Sequence, residues 1–205
     1  MTSTPAGRSG RPRRSSAEIL ADAASELFLE NGYAGTTVDQ IAQRAGVSRA
    51  TFFNYFAGKA DLLWLDLDAS LARLPEALRS PAVRELPVVA SVQAALVDVA
   101  RAHDDERVPW ALTQAEAMRL GDDLVASGAA RFVAQHQLVA AYVAQRRGER
   151  PDDVWPQVVS STLLAAAGAA VVSWARAGIG RGPLVASVEP AVAPVARGLA
   201  AALGE

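Results

Sequence analysis

An all-α fold follows from three features of the sequence. Apolar residues recur at spacings of three and four along most of the chain, no stretch of any length alternates with period two, and Asn-Gly, Gly and Pro punctuation falls between the periodic segments. With 51% of 205 residues apolar, the chain can bury a substantial core. The pattern divides into an arm over 1–15, a compact helical unit over 16–62 and a larger helical domain over 63–205.

The elements follow in order. The capping box Ser15-Ser16-Ala17-Glu18 opens a first helix whose stripe of Ile19, Leu20, Ala23, Ala24, Leu27 and Phe28 points inward, and Asn31-Gly32 ends it. A second capping box, Thr37-Val38-Asp39-Gln40, starts a short helix with Val38, Ile41, Ala42 and Ala45 inward, closed by Gly46. Ser48 caps a third helix, which ends near Ala57-Gly58. A fourth is expected to run unbroken from Lys59 to about Leu74, where Pro75 interrupts it. After a weakly structured stretch from Pro75 to Pro87, helices are expected over 88–103, 107–119, 122–147, 152–177 and 184–203. Pro190 and Pro194 are expected to kink the last or delay its start.

Composition excludes several functions. With no Cys and only His103 and His136, a disulfide framework, a thiol nucleophile and a Cys- or His-rich metal site are all unsupported, and no cofactor is expected. The cluster His103-Asp104-Asp105-Glu106 lies in a polar break and reads as a loop rather than a catalytic group, so no enzyme activity is expected. The N-terminus has arginines without an apolar segment after them, which predicts a cytoplasmic protein. The uncharged run Val154 to Ala175 is long enough to cross a bilayer, but its Pro, Gln, Ser and Thr residues favour a buried helix. Charge is uneven: residues 1–60 carry seven basic and five acidic groups, against thirteen and seventeen over 61–205. Arg8, Arg11, Arg13 and Arg14 all precede the first acidic residue, so the Gly-, Pro- and Ser-rich arm is expected to be disordered and drawn to polyanions.

The second helix, the turn at Gly46-Val47 and the third helix form a helix-turn-helix pattern, which projects its second helix for major-groove reading. That helix is unusually aromatic, with Phe52, Phe53, Tyr55 and Phe56 inside five residues. Phe52 and Phe56, four apart, share a face and are expected to be core. Arg49, Thr51, Phe53, Asn54 and Tyr55 occupy the other side and supply a guanine reader, a hydroxyl, an adenine-capable amide and apolar surface for a thymine methyl. Ser48 and Ala50 lie where the helix backbone approaches the duplex. The Tyr55 hydroxyl, Thr37 with its helix N-terminus, and Lys59, the sole lysine of the chain, are assigned to phosphates. Arg44 joins them, with Arg11, Arg13 and Arg14 from the arm.

Residues 17–63, with Gly-Tyr, Thr-Thr-Val, Ile-Ala, Ala-Gly-Val-Ser, Tyr-Phe and Lys-Ala-Asp-Leu-Leu in order, resemble the TetR/AcrR family of one-component transcription regulators. The resemblance implies a homodimer, one DNA-binding unit per subunit, and a larger helical domain in which a small molecule alters operator affinity. It also implies departures: Ala50 stands where many members have Gly, and Phe52-Phe53 where many have Leu-Tyr, so Phe53 lacks a hydroxyl for phosphate and is left to touch a thymine methyl. The alternative is a DNA-binding regulator controlled by a protein partner instead of a ligand.

The run "LLWLDLDASLARL", Met118-Arg119-Leu120 and a late Pro-Gln before a long apolar helix resemble the subgroup containing the mycofactocin-system regulators, some of which respond to acyl-CoA. A largely apolar pocket is therefore expected, with Trp64, Trp110, Met118, Arg119, Phe132, His136, Tyr142 and Trp174 as candidate walls. Each aromatic has a plain alternative as core. Arg119 is singled out because a partly buried guanidinium needs an anion, from the protein or a ligand. The last two helices are the richest in Ala, Val and Gly. Val158, Ser161, Thr162, Ala165, Gly168, Ala169 and Val172 of one, with Val192, Val195 and Leu199 of the other, are candidates for a two-fold interface.

Overall fold

In the computed structural model, which describes residues 16–205, the chain divides into two compact units between Leu62 and Leu63. The described residues contain helices and no strand.

The first unit begins with α1 (Ser16–Asn31), which buries Leu20, Ala23, Ala24, Leu27 and Phe28 along one stripe. Next come α2 (Val38–Arg44) and α3 (Arg49–Phe53), and α4 (Lys59–Leu63) ends at the boundary between the units. The Thr37 capping box forms as read from sequence: the Thr37 hydroxyl accepts from Gln40 N at 3.2 Å, and Gln40 Oε1 accepts from Thr37 N at 2.8 Å. The basic arm with Arg11, Arg13 and Arg14, and the Ser15 cap, lie outside the described residues.

The second unit differs from expectation at its start. The helix from Lys59 does not run on to Leu74. It stops at Leu63, Trp64 leaves helical dihedrals (φ −115°, ψ 7°), and α5 (Leu65–Leu71) starts afresh. The indole explains the break, because Trp64 is buried and donates from Nε1 to Ser127 Oγ at 2.9 Å. Pro75 opens a helix instead of ending one, in the first turn of α6 (Leu74–Arg79), and α7 (Pro81–Arg84) also begins with proline.

The helix expected over 107–119 shrinks to α9 (Trp110–Thr113). Beyond it Arg119 adopts a positive φ of 53°, and Leu120 N reaches back to Ala115 O at 3.0 Å, closing the segment as a turn. This conformation buries Met118 and Leu120 together and turns Arg119 outward.

The core of this unit surrounds α8 (Val88–Arg101), which buries Val88, Val89, Val92, Ala95, Leu96 and Val99. Three long helices, α10 (Asp122–Arg147), α11 (Val154–Arg176) and α12 (Val185–Leu203), pack around it. Gly148, left-handed at φ 69°, ends α10, and α12 continues through both Pro190 and Pro194. The helix α11 is long and apolar enough to cross a membrane, yet it packs Val159, Leu163, Leu164 and Trp174 into this core. His103, read as part of a loop, is buried and pins that loop: its Nδ1 pairs with Ser70 Oγ at 2.7 Å and its Nε2 with Arg107 O at 2.8 Å.

Leu163 is wholly buried in this core. Leu163→Ala is expected to lower stability by about 2–5 kcal/mol through lost burial and the cavity it leaves, measured by urea unfolding.

Candidate nucleic-acid interface and ligand cavity

The recognition helix α3 is only five residues long and depends on its ends. Gly46, left-handed at φ 69°, makes the turn from α2. Ser48 caps the helix, its Oγ accepting from Thr51 N at 3.1 Å and pairing with Thr51 Oγ1 at 2.9 Å. Phe52 is fully buried and Phe56 nearly so, their ring centroids 5.5 Å apart. Phe53 and Tyr55, by contrast, are 46% and 50% exposed, beside exposed Arg49, Ala50 and Asn54. The helix thus separates two aromatic pairs, one inward and one outward.

Arg49 is not idle on that face. Its Nη1 donates to Asp39 Oδ1 of α2 at 2.6 Å, and its guanidinium lies 5.2 Å from the Phe53 ring centroid. Both partners of the ion pair are more than half exposed, so the pair stabilises little. Asp39 was not visible as a partner in sequence, since ten residues separate the two.

Two assigned phosphate contacts take other roles here. Arg44 is bound by two carboxylates of α1, with Nη2 to Glu30 Oε2 at 2.8 Å and Nη1 to Glu26 Oε2 at 3.0 Å. The Arg44 hydrogen bond holds the Glu30 carboxyl below its ordinary range, and in return the bonds to Glu30 and Glu26 raise the guanidinium pKa. Arg44 is thus a strut between α1 and α2.

Lys59 points inward. Its Nζ donates to Tyr33 O at 2.7 Å and Thr36 O at 3.0 Å and sits 4.1 Å from the Tyr33 ring centroid. Buried Thr36 tightens the same loop by donating within 3.1 Å of both Leu27 O and Gly32 O. Gly35 completes it, since a Cβ there would stand 2.6 Å from Asn31 O. The sequence reading missed Thr36 and Gly35; the Gly-Thr-Thr run ahead of the capping box was their signal. The Thr37 hydroxyl is engaged in its own capping box.

The second unit contains a cavity of about 220 Å³. Of the candidate walls, Trp64 and Phe132 line it. Trp110, Met118, Arg119, His136, Tyr142 and Trp174 do not. Met118 is core, and Arg119 is exposed on its turn. Trp174 is core too, donating from Nε1 to Gly182 O at 2.9 Å, and His136 Nε2 pairs with Ser161 Oγ at 3.0 Å. The Tyr142 hydroxyl accepts from Arg146 at 2.8 Å.

The charged group at the cavity is Arg131, stacked 5.5 Å from the Trp64 ring centroid and bridged to Asp68. Sequence gave no sign of a pairing across 63 residues. Gly128 lets the Trp64 ring lie against α10, where a Cβ would come within 3.4 Å of it.

Two interface candidates, Gly168 and Val172, also line the cavity. Val192 is fully buried inside its own subunit, and Val195 and Leu199 pack on that core. They stabilise the subunit itself. Val158, Thr162, Ala165 and Ala169 remain exposed along α11.

A capped, outward-facing recognition helix in one unit and an apolar cavity in a second helical unit mark the chain as a DNA-binding transcriptional regulator. The chain belongs to the TetR family of bacterial regulatory proteins: residues 20–63 match that family's N-terminal domain and residues 86–200 match the MftR C-terminal domain. It is 30% identical over 169 residues to a protein described as the mycofactocin biosynthesis transcriptional regulator MftR of Mycobacterium tuberculosis, covering 82% of this chain and 84% of that one. To the transcriptional regulator TcmR of Streptomyces glaucescens it is 33% identical over 171 residues, covering 80% and 75%. Among solved structures, FadR of Thermus thermophilus in complex with lauroyl-CoA superposes with a TM-score of 0.51 at 26% identity, over 86% of this chain and 91% of that one.

Lys59→Ala is expected to remove the ammonium that bridges the Tyr33 and Thr36 carbonyls and to cost about 1–3 kcal/mol of stability, measured by urea denaturation of the full chain.

Proposed function

We propose that the protein is a cytoplasmic homodimeric repressor that leaves a near-palindromic operator when a small hydrophobic molecule, with acyl-CoA among the candidates, enters the second unit. The observation that carries the DNA-reading part is the division of α3: Phe52 is fully buried while Phe53 and Tyr55 are half exposed beside Arg49. Exposed aromatics on a five-residue helix are costly in water and fit a surface that is covered on binding. Arg49 reads guanine after exchanging Asp39 for the base, Asn54 reads adenine, Thr51 contributes its hydroxyl, and Phe53 meets a thymine methyl. The Tyr55 hydroxyl, the Thr37 turn and the basic arm hold phosphates, and Ser48 and Ala50 also face the duplex, with Ala50 keeping the helix backbone further from it than a glycine would.

Two copies place their recognition helices about 34–36 Å apart, in successive major grooves. The exposed small-residue face of α11, with Val158, Thr162, Ala165 and Ala169 on successive turns, supports the pairing of subunits. The cavity and the lauroyl-CoA bound by the Thermus thermophilus protein support a hydrophobic ligand. A ligand that favours the DNA-free arrangement by about 1–3 kcal/mol weakens operator binding roughly five- to 150-fold.

Binding to DNA flanking its own gene is expected to be site-selective and to weaken steeply as salt rises, measured by fluorescence anisotropy; indifference to either sequence or salt would refute the reading. Arg49→Ala should relax preference at one base pair per half-site by about 1–3 kcal/mol. Ala165→Arg, on the exposed face of α11, should yield a folded monomer in sedimentation velocity, and a dimer of unchanged affinity would move the interface elsewhere.

A further inference from the structure

A carboxylate stands in contact with the proposed guanine reader, on a surface that phosphates would repel. Asp39 of α2 accepts from Arg49 Nη1 at 2.6 Å, and the two side chains are 66% and 58% exposed. A single exposed pair of this kind adds little to the fold. Other acids of the first unit have plain structural work: Glu26 and Glu30 tie α2 to α1 through Arg44, and Asp61 accepts from Ala57 N and Gly58 N. Asp39 instead touches Arg49, whose guanidinium also lies 5.2 Å from the Phe53 ring centroid.

We propose that Asp39 is a second base reader, which recognises one whole G·C pair together with Arg49: its carboxylate accepts from the cytosine N4 amino group while Arg49 donates to guanine N7 and O6. The inference rests on the DNA-reading part of the function proposed above and deepens it. In the major groove a G·C pair presents two acceptors and then a donor, in the order N7, O6, N4. No other pair repeats that order in the same direction, since A·T places its donor between two acceptors and C·G and T·A run the opposite way. A guanidinium and a carboxylate side by side match it group for group.

Distance supports the match. Guanine O6 and cytosine N4 are joined by one base-pair hydrogen bond, about 2.9 Å long. The Arg49 nitrogen and the Asp39 oxygen are 2.6 Å apart, so side chains that meet each other in the free protein also reach neighbouring atoms of one base edge. When Arg49 turns to guanine, the Asp39 carboxylate loses its donor just as the surface closes on a polyanion. The cytosine amino group replaces that donor, and a pair without it leaves a charge unsatisfied in the interface.

The test binds the unaltered chain, Arg49→Ala and Asp39→Ala to a pool of randomised duplexes and sequences the bound fraction. The unaltered chain is expected to select G·C at one position of each half-site, and Asp39→Ala to relax that same position by about fivefold or more, as Arg49→Ala does. A preference left intact in Asp39→Ala, or lost at a different position from that of Arg49→Ala, would overturn the proposal. Tighter binding of every duplex by Asp39→Ala with its preference intact would mark the acid as a charge that only repels phosphate.

A second measurement leaves the protein as it is and alters one atom of the DNA. N4-methylcytosine keeps its pairing with guanine but carries a methyl group in place of the groove-facing N–H. Placed in the selected pair, it should weaken binding of the unaltered chain by about fivefold and leave Asp39→Ala unaffected; equal loss in both, or none in either, rules against the contact. The two readings fail separately. An unaltered chain that shows no selectivity sinks the DNA reading and this inference together, whereas selectivity that survives Asp39→Ala sinks this inference alone.

Discussion

A helix of five residues has almost no stability of its own, since nucleation alone outweighs the few hydrogen bonds it makes. The DNA-reading surface therefore exists because Phe52 is buried. Its ring fixes α3 to the first unit, and with the ring inward the 100° step of a helix carries Phe53 and Asn54 away from the core. The Ser48 cap and the Gly46 turn set where α3 starts, and Phe56 extends its anchor beyond the C-terminus. The outward face of α3 is positioned by one buried aromatic side chain.

The same economy governs charge. The first unit uses several of its ionic groups to hold itself together: Arg44 joins α2 to α1, Lys59 ties down the loop before α2, and Asp61 Oδ2 accepts from Ala57 N and Gly58 N at the head of α4. Arg49 remains exposed on a weak, exchangeable partner. Among the described residues of the first unit, the internal pairing of Arg44 and Lys59 leaves Arg49 as the basic side chain on the outer face of α3.

How much of this was legible in the sequence depended on whether the signal was local. Capping boxes and glycines located α2, the start of α3 and α10 closely, although α3 ends at Phe53 and not near Ala57-Gly58, and the spacing of four between Phe52 and Phe56 separated core from exposed surface. The break at Trp64 was not legible, because it depends on an indole finding Ser127 far along the chain. The turn at Arg119 was hidden for a similar reason: Met118-Arg119-Leu120 suits a helix by propensity, and only the joint burial of Met118 and Leu120 favours the left-handed arginine. In the cavity, sequence selected Arg119 over Arg131, two arginines in similarly apolar surroundings. What separates them is a carboxylate 63 residues from Arg131, which no periodicity reveals.

That carboxylate also bears on how a regulator of this kind changes allegiance. Asp68 pairs the Arg131 guanidinium beside an apolar wall. Replacing it would change the charge at this wall without moving a helix or enlarging the cavity. The charge of the cavity border is thus set in part by a residue on α5 that is not among the side chains lining the space.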